Sequence, residues 1–237
     1  MDAKGIDAVD RPARATLVWD WPTRLFHWAL LASLVVAFLS QWFYWPFIWH
    51  RTAGEVALVL VAFRVCWGFV GPVHARFRSF IRGPREVVAD LRAMLRRTSE
   101  ERAGHPPAGG WMIVVLLATV AIQAVAGLYS NDDTDQMGPL FGYVGHAISN
   151  RITHVHQLVA NVLLGLVAIH VLAVVVHRVW LGHDLIKPML NGRKNGVPAS
   201  AGLSGHRGWL AIAILLGCAA VLAAIVRTAP PLPDALM

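Results

Sequence analysis

The sequence predicts an all-α integral membrane protein, a four-helix bundle followed by a fifth transmembrane helix. Three observations predict it. Of 237 residues, 56% are hydrophobic and only 15% charged, whereas a soluble domain carries about a quarter of its residues as charges. The apolar residues gather into five runs, each close to the roughly 20 residues that a helix needs to cross a bilayer core. Lys and Arg, 21 against 14 Asp and Glu, concentrate in alternate segments between those runs, as the positive-inside rule requires. Disorder, collagen and a disulfide scaffold are excluded, because apolar residues dominate and both cysteines, Cys66 and Cys218, lie inside apolar runs.

Taken in order, the polar N-terminal segment carries Asp2, Asp7, Asp10 and Asp20 ahead of the first run, the pattern of an uncleaved anchor and not of a cleavable signal peptide. The first span runs from Leu25 to Trp45 and leads through a tight aromatic turn into the second, Ala53 to Gly71. A long basic loop, Pro72 to Ala108, separates this from the third span, Trp111 to Tyr129. An acidic loop from Ser130 to Arg151 precedes the fourth, Gln157 to Trp180, and a polar loop from Gly182 to Arg207 precedes the short, alanine-rich fifth, Trp209 to Val226. With the N-terminus in the cytoplasm, the eight arginines of the 76–102 stretch and Lys187, Arg193 and Lys194 share that side. Only Arg51, Arg151 and Arg227 then face the periplasm, together with the proline-rich C-terminus. All ten tryptophans fall near span ends, where amphipathic rings anchor at the headgroups. The net charge of +7 therefore reads as topology and attraction to the lipid bilayer, and not as a nucleic-acid footprint.

No GxGxxG, Walker loop, HExxH or GxSxG motif occurs, so the chemistry must come from elsewhere. Histidines in spans are the signal, because lipid cannot solvate an ionisable group. His27 lies near the start of the first span, His50 near the start of the second, and His156, His170 and His177 along the fourth. His156 and His170 are separated by about 21 Å of helical rise and only about 40° of rotation, so they share a face at two depths. His154 turns to the opposite face, whereas His177 lies on nearly the same face as His170, and helical geometry alone does not choose between those two. Depth matches His50 with His156 on the periplasmic side and His27 with His170 on the cytoplasmic side. Such pairs suit two non-covalent haems, each ligated axially by two imidazoles. Neither cysteine begins a CxxCH, which excludes covalent attachment. His74, His105, His146, His183 and His206 fall in loops and read as solvated.

The order and spacing of several motifs carry a resemblance. They are Val18-Trp-Asp-Trp-Pro-Thr-Arg-Leu-Phe-His27-Trp, His50-Arg-Thr-Ala-Gly54, Phe63-Arg-Val-Cys-Trp-Gly-Phe-Val-Gly71, Gly104-His-Pro-Pro-Ala-Gly-Gly110, His156-Gln-Leu-Val-Ala-Asn161 and Met189-Leu-Asn-Gly-Arg-Lys194. Over roughly residues 17–194 the chain resembles the bacterial cytochrome b561 and Ni,Fe-hydrogenase b-type cytochrome family. That resemblance implies a four-helix domain with two b haems, and it places the ligands at His27, His50, His156 and His170, against His177. It divides the chain into an N-terminal segment (1–23), a di-haem domain (24–194), and a linker with the fifth helix and tail (195–237), the fifth helix being a departure from many relatives.

Around the ligands, Arg64 returns to nearly the face of His50 about four turns on; it either meets a haem propionate or snorkels to the interface. Arg51 suits the outer propionates or serves as a surface anchor. Gly54 and Gly165 permit close approach of a porphyrin, and Asn161 and Gln123 are candidates to orient an imidazole. The acidic loop with Asp132, Asp133 and Asp135 reads as solvated before it reads as a docking site for a basic periplasmic cytochrome. The resemblance implies electron transfer between the quinone pool and a redox partner. The other functions kept open are a membrane anchor for a hydrogenase-like complex, superoxide oxidation coupled to quinone reduction, and a haem-free transporter with buried histidines.

Overall fold

The computed structural model describes residues 15–99, 101–133, 136–198, 200, 202–203 and 208–230. Expectations that fall on residues 1–14, on Asp135, on His206 or beyond Pro230 lie outside them. The elements are β1 (Thr16–Leu17), α1 (Trp21–Trp42), α2 (Phe47–Val70), α3 (Phe77–Phe80), α4 (Pro84–Leu95), α5 (Pro107–Tyr129), α6 (Gly145–Trp180), α7 (Ile186–Asn191), β2 (Arg193–Lys194) and α8 (Gly208–Arg227). Among the described residues, α1, α2, α5, α6 and α8 are long and apolar enough to cross a membrane, and the protein is a multi-pass membrane protein.

Local chemistry sets the ends of these helices. Pro22 and Pro107 stand in the first turns of α1 and α5, where a missing N–H costs nothing. A four-residue turn whose Tyr44 takes φ 52° folds α2 back antiparallel on α1. At their other end the pair is tied by the Trp67 indole, which donates to the Asp20 carboxylate at 2.8 Å. Trp67 belongs to the core formed by Phe26, Leu60, Val61, Phe63, Leu117, Val120 and Leu163, so this bond fixes the α1 start against the packed centre. α5 packs on α2 and α6 on α5, while α8 lies against α2 and, more lightly, α1. The Tyr143 hydroxyl donates to the Thr228 carbonyl at 2.6 Å and anchors the far end of α8.

Two expectations about loops are revised. The stretch read as a basic loop holds α3 and α4, and α4 is a twelve-residue amphipathic helix. Its apolar positions are diluted by arginines, so the charge hides the helical period. α6 begins at Gly145, twelve residues before the predicted start. Those extra turns are polar and rest on the 130–144 segment. Buried Asn131 joins them by donating to Ser149 and to the Asn150 side chain at 2.8 Å, and the Thr153 hydroxyl donates to the Asn131 carbonyl at 3.0 Å. At 36 residues, α6 is about 54 Å long and outruns the roughly 30 Å hydrocarbon core. At the opposite end β1 and β2 pair antiparallel, Thr16 with Lys194 and Leu17 with Arg193. Arg24 and Trp28 of α1 reinforce the tie by donating to the carbonyls of Leu190 (2.6 Å) and Met189 (3.2 Å).

Candidate functional site

Three of the spans, α1, α2 and α6, bring four histidines together in two pairs. His50 of α2 and His156 of α6 have ring centroids 6.1 Å apart at 81°, near the end of the bundle where α1 finishes. His27 of α1 and His170 of α6 have centroids 6.5 Å apart at 51°, near the end where α1 starts. Two imidazoles that share one metal through nitrogen bonds of about 2.0 Å have centroids about 6 Å apart, so both pairs are spaced as axial ligands of a single iron would be.

Hydrogen bonds set the chemistry of the first pair. His50 Nδ1 lies 3.0 Å from the Ala37 carbonyl and His156 Nδ1 lies 2.9 Å from the Gln123 carbonyl. A carbonyl only accepts, so each Nδ1 carries the proton and each Nε2 keeps its lone pair, the tautomer that a metal needs. The Gln123 side-chain amide lies 3.2 Å from His156 Nε2, on the lone pair that a metal would take, so the contact of this glutamine that orients the ring as a ligand is its backbone carbonyl. Gly127, one turn on, packs closely against the ring: a Cβ there would stand 3.0 Å from His156 Cε1, so the imidazole would have to shift by a few tenths of an ångström to admit it. The opposite condition holds at Gly54 and Gly165, where a Cβ would meet nothing within 4 Å, so no neighbour in the fold requires glycine at either position.

The second pair sits among orphaned polar atoms. His27 Nδ1 and Arg64 Nη1 are buried without a hydrogen-bond partner among the described residues. Arg64 is only 2% exposed, with its guanidinium carbon 5.3 Å from the Phe77 ring centroid and 6.0 Å from that of Phe80. It therefore does not snorkel: α3 roofs it over. A buried cation and an unpaired imidazole nitrogen at the end of the bundle that holds these two rings fit a b haem, whose propionates are anionic. Arg51 pairs instead with Glu55 at 2.9 Å, and Asn161 is exposed, its amide donating to the Gln157 carbonyl of its own helix at 3.1 Å. His154 is exposed. His177 lies 6.0 Å from the His183 ring, away from the His27–His170 pair.

His105, read from sequence as a solvated loop residue, is instead packed in. Its ring packs tilted at 4.4 Å from Trp19 and edge-on at 5.0 Å from Phe80, and its Nδ1 is buried without a hydrogen-bond partner among the described residues. The available signal was the Pro106-Pro107 that follows, which fixes the backbone just before α5. Burial, and then the nearby charges of Arg64, His74, Lys194 and His170, push its pKa from 6.5 down to about 3. The folded protein thus keeps His105 neutral where the unfolded chain binds a proton. The stability this represents is complete above pH 6.5 and is lost as pH falls toward 3. Between pH 6.5 and 5 the loss is about 1–2 kcal/mol. The expected result is a thermal midpoint that drops between pH 7.5 and 5 in the wild type and drops less in His105→Phe; equal drops would show that His105 is not the group responsible.

Residues 18–192 match the family described as prokaryotic cytochrome b561. A protein of Rhizobium leguminosarum bv. viciae, named as a probable Ni/Fe-hydrogenase B-type cytochrome subunit, is 26% identical, the alignment covering 81% of this chain and 93% of the relative. A protein of the same name from Bradyrhizobium diazoefficiens is 29% identical, with 81% and 90% covered. No solved structure matches the chain.

Proposed function

The chain belongs to the prokaryotic cytochrome b561 family, and on that premise we propose that it carries electrons across the bacterial inner membrane through two b haems, between the quinone pool and a redox partner. It is a membrane cytochrome b, which displaces the haem-free transporter reading. The observation that carries the proposal is the double pairing of His50 with His156 and His27 with His170, at 6.1 and 6.5 Å. A haem held between two imidazoles supplies a one-electron couple with no open coordination position. The chain's own residues do the rest. The Ala37 and Gln123 carbonyls hold the protons of the outer pair on Nδ1, and buried Arg64 places a positive charge at the end of the bundle that holds the inner pair, where His105 senses both Arg64 and His170. α6 spans both depths and so fixes the separation of the two sites. The basic 71–99 and 181–198 segments lie at the end where α1 starts, which supports a cytoplasmic placement of that end by the positive-inside rule.

A second reading has its own support. Both curated relatives are named hydrogenase cytochrome subunits, so the chain also suits the role of membrane anchor and electron acceptor for a hydrogenase-like partner. A pull-down from native membranes separates the two: a stoichiometric oxidoreductase subunit supports the anchor, and its absence the stand-alone cytochrome. Both share one test. A pyridine haemochrome assay with redox titration is expected to give two b haems per chain and two midpoint potentials. No α-band after dithionite, or one haem per chain, would overturn the di-haem assignment.

A further inference from the structure

We propose that α4 is an in-plane membrane helix whose arginines form a binding surface for acidic phospholipid headgroups. Turning by about 100° per residue, Arg85, Arg92 and Arg96 fall on one line along α4, within about 40° of one another. Val88, Leu91 and Leu95 form a second line centred about 90° away. The three apolar residues are exposed, at 44%, 41% and 73%, and the three arginines are exposed as well. Half-buried Val87, Asp90 and Met94 form the remaining side, and Asp90 accepts from the Ala108 backbone N–H at 3.1 Å, so that side is the one turned to the protein. An apolar line flanked by a cationic line is the pattern of a helix lying in the interface, with its aliphatic residues in the acyl boundary and its guanidiniums level with the phosphates.

Contacts at both ends hold α4 at that depth. The Trp111 indole, in the first turns of span α5, donates to the Arg82 carbonyl at 2.9 Å just before α4. Just after it, the Arg97 guanidinium lies 3.6 Å over the ring of Trp180, the last residue of span α6. Arg97 adopts φ 59°, a left-handed conformation that is unfavourable for a side chain of this kind, and α4 ends there. The helix is thus slung between two tryptophans at span ends. Charge complementarity names the occupant. Among the described residues none of Arg85, Arg92 and Arg96 forms an ion pair, and the acidic partner within reach of an interfacial helix is a lipid phosphate.

The test uses the full-length, haem-loaded protein in nanodiscs of phosphatidylcholine alone or with about 30% phosphatidylglycerol, digested with proteinase K, cleavage within residues 82–99 being read by mass spectrometry. Each arginine at an anionic surface changes partitioning about fivefold, so cleavage is expected to slow by about tenfold or more with phosphatidylglycerol. About 0.5 M salt should restore it by screening. R85Q/R92Q/R96Q should lose the lipid dependence and keep its haem spectrum. Equal cleavage in both lipids, or undiminished protection in the triple variant, would overturn the proposal. So would protection by soluble polyglutamate in neutral discs without protection by phosphatidylglycerol, which would make the surface a dock for an acidic protein.

Discussion

Replacing His156 with alanine is expected to lower the haem content from about two to about one per chain, and His50→Ala should remove the same haem. The two rings face each other from α6 and α2 at 6.1 Å, and each Nδ1 is tied to a carbonyl, so a metal between them has only their Nε2 atoms. Loss of either leaves a b haem on one imidazole, with no covalent thioether bond to retain it during purification. His27→Ala and His170→Ala should remove the other haem, leaving different spectra and potentials. His154→Ala, exposed on the other face of α6, should change neither. Gln123→Leu keeps the backbone carbonyl that orients the His156 ring and deletes only the side-chain amide, which lies 3.2 Å from the Nε2 lone pair that a metal would take, so both haems are expected to be retained. Retention of two haems in His156→Ala, or loss of different haems in His50→Ala and His156→Ala, would refute the pairing.

The histidine pairs were legible in the sequence for a specific reason. In a membrane helix the rise and rotation per residue are nearly fixed, so spacing converts to depth and face, and an ionisable residue stands out against an apolar background. The same regularity gave five spans. What spacing does not carry is contact between segments distant in the chain. The choice for Arg64 between snorkelling and burial depended on whether anything covered it, and the cover comes from Phe77 and Phe80 in a stretch read as loop. His105 was misread for the same reason: its neighbour Trp19 comes from the segment before α1. Gln123 was a candidate from its residue type alone, whereas Gly127 was missed because its close contact is with the His156 ring of another helix. α4 was missed by a different route, since charge drew attention away from the three-and-four spacing of Val88, Leu91 and Leu95.

Arg64→Leu is expected to lower the midpoint potential of the haem at His27 and His170 and to leave the outer haem nearly unchanged. The guanidinium is 2% exposed with one nitrogen unpartnered, and the Asp20 carboxylate, which interacts with it electrostatically, already accepts from Trp67. Its positive charge is therefore incompletely balanced by protein. A positive charge stabilises the reduced, more electron-rich state of a nearby redox centre, so removing it makes reduction harder and the potential more negative. One unit charge at about 10 Å in an effective dielectric near 20 contributes about 1.7 kcal/mol, or about 70 mV for a one-electron couple. The outer pair lies about 20 Å further along α6 and should shift by less than half as much. Arg64→Lys retains the charge without the planar fork, and most of the potential should return with it. A merely structural arginine packed on Phe77 and Phe80 would give a different result: both variants would lower thermal stability, and both potentials would stay in place.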